Sequence, residues 1–268
     1  MSENAKPIDR QASEFAAKIS RIAQIFGGAE TADYQSDIVP GKAGWWVEIH
    51  NNQHGFTLSA DEKDVFLVKA NWTCSSDWTG QWLKVERSRF GVFLAERPSR
   101  PLFRYDFDAD YSRRLPKAHI HFQADHPDMN PTQPMKDTQE SLIHLGEGSK
   151  RARKRATHKK QTKVSDLHFP VGGTRFRPAL EDILLMMIEE YGVEPQAMDP
   201  IEAVKELRRS LGEWRISQAK AVIRDMPLLA LALFESEGFQ VVADPEAHGS
   251  PVDPHDYFKN RTDKLFDS

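Results

Sequence analysis

The chain has 268 residues, of which 39% are hydrophobic and 28% are charged, and its formal net charge is −4. This length and apolar content suffice for one large or two modest domains with a real core, and the small net charge excludes a wholly basic nucleic-acid-binding protein. No run of residues is apolar and long enough to cross a bilayer, the first residues lack the apolar stretch of a secretory signal, and the single cysteine, Cys74, forbids an intrachain disulfide. We therefore expect a soluble cytoplasmic protein.

The first predicted element is an amphipathic helix. Between Ser13 and Phe26 the apolar residues recur at helical spacing, and Gly27 and Gly28 follow as a stop signal. Residues 29–42 show no dependable period. Residues 1–43 are therefore predicted to form an N-terminal helix and a connector.

From Gly44 onwards the pattern predicts β-strands. Short segments with alternating apolar residues follow one another, separated by turn residues and without helices between them. Closely spaced strands of this kind favour an antiparallel meander over a parallel α/β sheet. We predict an α+β fold in which residues 44–192 form a sheet domain of six to eight strands.

A polar insertion interrupts this sheet at residues 125–163. Its second half is basic, with eight Lys or Arg residues and no acid between Lys150 and Lys163. Such an arm can bind a phosphate backbone, although a solvated loop or an arm that binds an acidic partner has the same composition. The nucleic-acid-binding candidates are Arg151, Arg153, Lys154, Arg155, Lys159, Lys160 and Arg175.

The C-terminal part is predicted to be helical and to pack on the sheet. A helix is expected from Pro178 to Tyr191, a second from Asp199 to about Leu211, and a third from near Ser217, which restarts at Pro227. Residues 193–238 form this helical region, and residues 239–268 form an extended tail. The last helix is apolar enough to be buried or to form an interface, so a homo-oligomer is expected to use Leu228, Leu229, Leu233 and Phe234.

Ionisable side chains cluster around the segment Ala118 to Phe122. His119 and His121 alternate with apolar residues there, so both imidazoles should project from one face of a strand. Arg104 and Asp106 alternate in the same way upstream, with Tyr105 between them. If the two segments are neighbouring strands, these groups share a polar face. The predicted site also includes His168 and Arg177 from the chain that follows the insertion.

Three interpretations compete for this cluster. The first is acid–base cleavage of a phosphodiester, for which imidazoles supply the base and the acid and guanidinium groups stabilise the developing charge, without a metal or a cofactor. The second is a metal site, in which His119 and His121 join His168 and either Asp106 or Asp125. The third is structural: the groups form ion pairs on the wet face of a half-exposed sheet.

The order of motifs resembles the TumE-type toxins of bacterial toxin–antitoxin pairs. The matching residues are Arg104-Tyr105-Asp106, then His119-Ile120-His121, then Phe176 with Leu180 and Leu184. The resemblance covers roughly residues 55–191. It implies a strand meander that ends in a helix, a target in RNA or translation, and an antitoxin partner. The chain departs from the family in having Phe107 where an Asn is expected, a long basic insertion and an added helical region.

The leading hypothesis from the sequence is a toxin-like, metal-independent ribonuclease. His119 and His121 would act as acid and base, and Asp106 would orient an imidazole. Arg104 and Arg177 would stabilise the transition state, and Tyr105 and His168 complete the candidate set. The first alternative is a non-catalytic interaction or regulatory protein of a mobile element or defence system. The second is a metal-dependent hydrolase.

Overall fold

The structure, a computed structural model, has an α+β fold with an N-terminal helix, an antiparallel sheet and C-terminal helices. It describes residues 6–41, 44–52, 54–110, 116–123, 167–173 and 176–239. The helices are α1 (Ile8–Gly27), α2 (Leu180–Tyr191), α3 (Pro200–Asp225) and α4 (Pro227–Ser236). The strands are β1 (Gln35–Gly41), β2 (Gly44–His50), β3 (Phe56–Ala60), β4 (Lys63–Ser76), β5 (Leu83–Leu94), β6 (Arg97–Asp108), β7 (Ala118–Phe122) and β8 (Phe169–Pro170).

The eight strands form one antiparallel sheet in the order β1-β2-β4-β5-β6-β7-β8, and β3 pairs with the first half of β4. Strands from β4 to β7 are neighbours in both chain order and space, as a meander requires. The predicted fold class and the predicted number of strands are therefore confirmed. The β3–β4 connection is a two-residue turn in which Asp61 and Glu62 both have positive φ, at 50° and 61°, which matches the twist of a hairpin.

The sheet has one apolar and one polar face. The inner face packs against α1 and α2 and contains most of the core, including Val47, Ile49, Val68, Trp72, Phe90, Val92, Phe103, Phe107 and Ile120. The alternate residues of β4 to β7 lie on the outer face, and most of them are polar. Because side chains alternate along each strand, the charged groups predicted to form a site are separated from the core by a single layer of backbone.

Helix α1 ends, and helix α3 begins, at the residues where the local sequence predicts it. Ala12, Ile19 and Phe26 belong to the buried stripe of α1, and Gly28, with a φ of 81°, ends that helix. At the start of α3, the side chain of Asp199 accepts hydrogen bonds from the first backbone amides of the helix.

Two predicted boundaries are wrong. Residues 29–42, expected to be a connector, contain β1, an edge strand with little buried surface whose side chains therefore show no apolar alternation. The helices expected to end near Leu211 and to begin near Ser217 are one continuous helix, α3. A single glycine such as Gly212 costs a helix about 1 kcal/mol, and Trp214, stacked on Phe15 at 5.7 Å between ring centroids, holds the segment in place.

The predicted insertion at residues 125–163 and all of the predicted tail except Phe239 lie outside the described residues.

Candidate metal centre

Strands β6 and β7 place four of the predicted site residues on the outer face of the sheet. In the register of this pair, Asp106 lies opposite His119 and Arg104 lies opposite His121. The two imidazoles are two residues apart on one strand, so they project to the same side, with a centroid distance of 4.8 Å. The structure thus brings together the groups for which the alternating pattern predicted a shared face.

His168 joins them from the other side of β7. Strand β8 pairs antiparallel with β7, with Phe169 opposite Ile120 and Pro170 opposite His119. One further step in this register sets His168 beside His121, where their ring centroids are 4.3 Å apart. The His119 and His168 centroids are 4.9 Å apart. We call these three residues the histidine cluster; one donor nitrogen from each lies within 4.8 Å of the other two.

Asp106 lies beside the histidine cluster and is held by two arginines. Arg104 donates from Nε and from Nη2 to Oδ2 of Asp106, both at 2.7 Å, and Arg89 donates from Nε to Oδ1 at 3.1 Å. The same Oδ2 is 4.0 Å from Nε2 of His119 and 3.7 Å from Nε2 of His121. The carboxylate is therefore fixed in orientation at the edge of the cluster.

Arg89 is a site residue that the sequence analysis missed. It lies on β5 opposite Asp106, on the same outer face. The sequence carried a usable signal, because Arg89 directly precedes Phe90 and Val92, whose alternation predicts a strand with Arg89 on the face opposite to them. Pairing Arg89 with Asp106 also required the register of the β5–β6 hairpin, which contains two irregularities.

The cluster is largely withdrawn from solvent. His119 has no exposed surface, and the side chain of His121 is 12% exposed. Nδ1 of His119 donates a hydrogen bond of 2.7 Å to the carbonyl oxygen of Pro116. Since a carbonyl can only accept, this contact places the proton on Nδ1, so that in the neutral ring Nε2 carries a lone pair on the Asp106 side.

Protonation of His121 is disfavoured. Burial lowers its pKa to about 4, the proximity of His168, Arg104 and His119 acts in the same direction, and Asp106 opposes it. At neutral pH His121 is therefore an uncharged imidazole, the form in which histidine binds metals.

Two predicted site residues lie elsewhere. Tyr105 points to the inner face of β6, where burial is the main cause of its raised pKa. The guanidinium of Arg177 lies over the Phe107 ring, 3.9 Å from its centroid, and 5.7 Å from that of Trp214. Burial lowers the pKa of Arg177 to about 10. Neither side chain shares the outer face with the histidine cluster.

The nucleic-acid-binding candidates lie outside the described residues, so their predicted role stays a prediction: Arg151, Arg153, Lys154, Arg155, Lys159, Lys160 and Arg175. The apolar side chains proposed for self-association lie on α4, which has no buried residue among those described. Leu228 is half-buried, and Leu229, Leu233 and Phe234 are exposed. Cys74 is buried, which raises its pKa to about 12, so its thiol is not suited to act as a nucleophile.

Comparison with known proteins adds no relative to these observations. The chain matches no protein-family model, no curated protein and no solved structure. None of the helices in the described part of the chain is long and apolar enough to span a membrane. The function must therefore be inferred from the geometry of the histidine cluster.

Proposed function

We propose that the protein is a metal-dependent hydrolase whose divalent ion is bound by His119, His121 and His168. The observation that carries this proposal is the convergence of three imidazoles, two from β7 and one from the residue that precedes β8, with one donor nitrogen from each within 4.8 Å of the other two. Nothing about the apolar packing of the sheet requires three imidazoles on one small patch of its polar face.

The spacing suits a first-row transition metal. Zinc binds imidazole nitrogens at about 2.0–2.1 Å in tetrahedral geometry, which separates the nitrogens by about 3.3 Å. The nitrogens of the histidine cluster lie within 4.8 Å of one another, so closing the site requires the imidazoles to approach by at most about 1.5 Å. Rotation of side chains on fixed strands covers such a distance. Neutral imidazole donors favour zinc and its neighbours over magnesium or calcium.

The surroundings of the cluster also resemble those of metal ligands. A histidine that binds a metal usually donates its second ring N–H to a carbonyl or a carboxylate, which orients the ring. His119 does so through Nδ1 to the Pro116 carbonyl. Asp106 can supply a fourth ligand or accept a hydrogen bond from a ligand of the metal, because its Oδ2 lies within 4.0 Å of two of the imidazoles.

The same geometry gives less support to a metal-independent ribonuclease, the leading hypothesis from the sequence. His119 has no exposed surface through which a substrate could reach it. His121, with a pKa of about 4, is not in the acidic imidazolium form at neutral pH, whereas a general acid works best with a pKa near the working pH. Arg177, the second predicted cation, lies against Phe107 on the inner face.

A metal held by three protein ligands retains a coordination position for water and lowers the pKa of that water to about 7. Here the protein contributes the three imidazoles, a carboxylate fixed by two guanidinium groups, and partial solvent access at His121. These features support hydrolysis at neutral pH. Action on RNA as a toxin is a narrower proposal that rests on the short motifs alone.

The direct test is metal binding by the purified protein after treatment with a chelator. Titration with Zn²⁺ and with Co²⁺ should give one ion per chain, and cobalt should show the intense visible absorption of a four-coordinate site. Changing His119, His121 or His168 to Ala should weaken binding at least about 100-fold, since each change removes one ligand. His50→Ala is the matched control, because His50 lies on β2, is paired with Asp37, and should leave binding unchanged.

The proposal is wrong if the folded wild-type protein binds neither ion above the level of the triple histidine variant. Circular dichroism of each variant distinguishes loss of ligands from loss of fold.

A further inference from the structure

Two guanidinium groups border the histidine cluster on its β6 side. Arg104 lies directly opposite His121, and Arg89 lies opposite Asp106 on the next strand. Their side chains are 33% and 60% exposed, respectively. Both groups can therefore contact a molecule that approaches the cluster from the outer face of the sheet.

Both guanidinium groups keep hydrogen-bond donors for such a molecule. Among the described residues, Arg104 donates from Nε and Nη2 to Asp106, and Arg89 donates from Nε alone. A guanidinium has five N–H donors in a planar fork, so each arginine retains several after contacting the carboxylate. Asp106 thus aligns the two forks without using all of their donors.

Among the residues that the structure describes, the site also has an excess of positive charge. Asp106 offsets one of the charges of Arg89 and Arg104, and Arg87 on the same face is already paired with Asp108 at 3.2 Å. A divalent ion on three neutral imidazoles adds two further positive charges. This field favours an anion of more than one charge over a carboxylate or a neutral ester.

We propose that the substrate of this site is a phosphate ester, an inference that rests on the metal centre proposed above and adds the substrate class to it. His119, His121 and His168 would hold the metal beside one phosphoryl oxygen, and the other oxygens would accept hydrogen bonds from the N–H groups of Arg89 and Arg104. Arginine suits this role because its fork matches the spacing of phosphate oxygens. The same donors stabilise the charge on phosphorus in the transition state.

The reaction is hydrolysis and needs no further reactant. The oxygen of water forms a bond to phosphorus, and the bond between phosphorus and the alcohol oxygen breaks. One proton of the water goes to the departing alcohol, and the other stays on the phosphate product.

The test measures anion binding to the metal-loaded protein by calorimetry, with inorganic phosphate as the probe and acetate as the comparison. Phosphate should bind the wild type, and Arg89→Gln and Arg104→Gln should each weaken it about tenfold or more. Acetate should bind at least tenfold more weakly than phosphate. Arg97→Gln is the matched control, because Arg97 is the first residue of β6, the strand that also carries Arg104, and its side chain is 74% exposed and pairs with Glu96. This variant should change phosphate affinity less than twofold.

The form of the ester is tested with two further probes. Methyl phosphate represents a terminal phosphate, and dimethyl phosphate represents an internal phosphodiester such as that of a nucleic acid. The probe that binds the wild type more tightly and loses affinity in both arginine variants shows whether the substrate is a phosphate monoester or a phosphodiester. Arg89→Gln is the more informative variant, because Arg89 makes one hydrogen bond to Asp106 and its loss disturbs the carboxylate least.

Cobalt absorption of every variant is recorded first, so that the two proposals can fail separately. If one ion per chain binds but phosphate does not, or binds equally to wild type and both arginine variants, the phosphate inference is overturned and the metal centre stands. If no ion binds, both are overturned.

Discussion

The two faces of strand β6 carry ionisable groups in opposite settings. On the outer face, Arg104 and Asp106 contact each other beside the histidine cluster, where the groups are partly open to solvent. On the inner face, the neighbouring residues Tyr105 and Phe107 lie in or against the core, and Arg177 stacks on the Phe107 ring. Proximity along the chain therefore says little about function here; the face of the strand decides whether a charged group can meet a ligand.

The inner arginine is best understood as part of the packing. The rings of Phe107 and Trp214 lie within 5.7 Å of the guanidinium carbon and compensate for its removal from water. Although burial lowers the pKa of Arg177 to about 10, the side chain stays charged at neutral pH. The outer arginines instead align a carboxylate next to three imidazoles. Under the proposed function, the inner arginine contributes to stability and the outer arginines contribute to binding, and variants on the two faces can test this division.

The largest expected effect on stability is that of Arg177→Ala. Truncating a long, half-buried side chain that packs against Phe107 and lies near Trp214 should lower the free energy of unfolding by about 2 to 3 kcal/mol. Metal affinity should stay within twofold of the wild type, because the histidine cluster lies on the opposite face. Denaturant unfolding and calorimetry of the same preparations measure the two quantities.

Arg177→Met separates packing from charge. Because Met retains most of the apolar volume and carries no charge that must be withdrawn from water, it should restore most of the stability lost in the Ala variant. If either variant lost metal binding while keeping its fold, the two faces would be coupled, and the division of roles between them would be wrong.

The second largest effect is expected for Asp106→Asn on metal affinity. Asparagine keeps the shape of the side chain but removes the negative charge beside the imidazoles, so affinity for Zn²⁺ should fall about 10- to 100-fold. Equilibrium dialysis against a chromophoric chelator measures this ratio. Unchanged affinity would mean that Asp106 serves only the two arginines and lies outside the metal centre.

Glu181→Gln on α2 is expected to have a smaller effect on the free energy of unfolding, and this effect should depend on pH. Glu181 is buried, burial raises its pKa, and Ser210 donates a hydrogen bond of 2.6 Å to its carboxylate. The folded protein therefore binds more protons than the unfolded chain as pH rises above the ordinary carboxyl pKa, about 4.3. Stability contributed by this group is present at low pH and is lost as pH rises through the raised pKa.

Glutamine is neutral at every pH, and its carbonyl oxygen can accept the same hydrogen bond from Ser210. The variant should show a shallower fall in the free energy of unfolding between pH 4 and pH 7 and should be more stable at pH 7 by about 1 kcal/mol. Urea unfolding at a series of pH values tests this, with Glu202→Gln, an exposed glutamate of α3, as the control. Equal slopes in wild type and variant would argue against a buried, proton-sensitive carboxyl at this position.

Local periodicity predicted much of the fold and four of the six residues of the candidate site. The alternation around His119 and Arg104 correctly placed four ionisable groups on one face, because side-chain direction in a strand depends only on position along it. The same rule would have assigned Tyr105 to the opposite face. Tyr105 belongs to the predicted set as the middle residue of the Arg104-Tyr105-Asp106 motif, and a motif of consecutive residues in a strand includes both faces.

The remaining features depend on long-range contacts. The position of Arg89 opposite Asp106 depends on hairpin register, and that of Arg177 on how the chain packs after the turn at Gly172 and Gly173. Strand β1 has little buried surface, so its sequence lacks the apolar alternation that reveals a strand. Local patterns do not contain these features.

Tyr105→Phe is expected to have the smallest effect on stability and on metal affinity. Because Tyr105 directly precedes Asp106 on β6, this variant is the natural partner for Asp106→Asn. The ring keeps its place against the core, where it packs near Phe103 with 6.1 Å between centroids, and only the hydroxyl is removed. We expect a change of less than about 0.5 kcal/mol in the free energy of unfolding and no change in metal or phosphate affinity. Two adjacent residues would then differ about 10-fold or more in their effect on binding, which is the result expected if strand face alone separates the site from the core. A drop in metal affinity for Tyr105→Phe comparable with that for Asp106→Asn would require the tyrosine hydroxyl to act across the sheet, and would overturn this division.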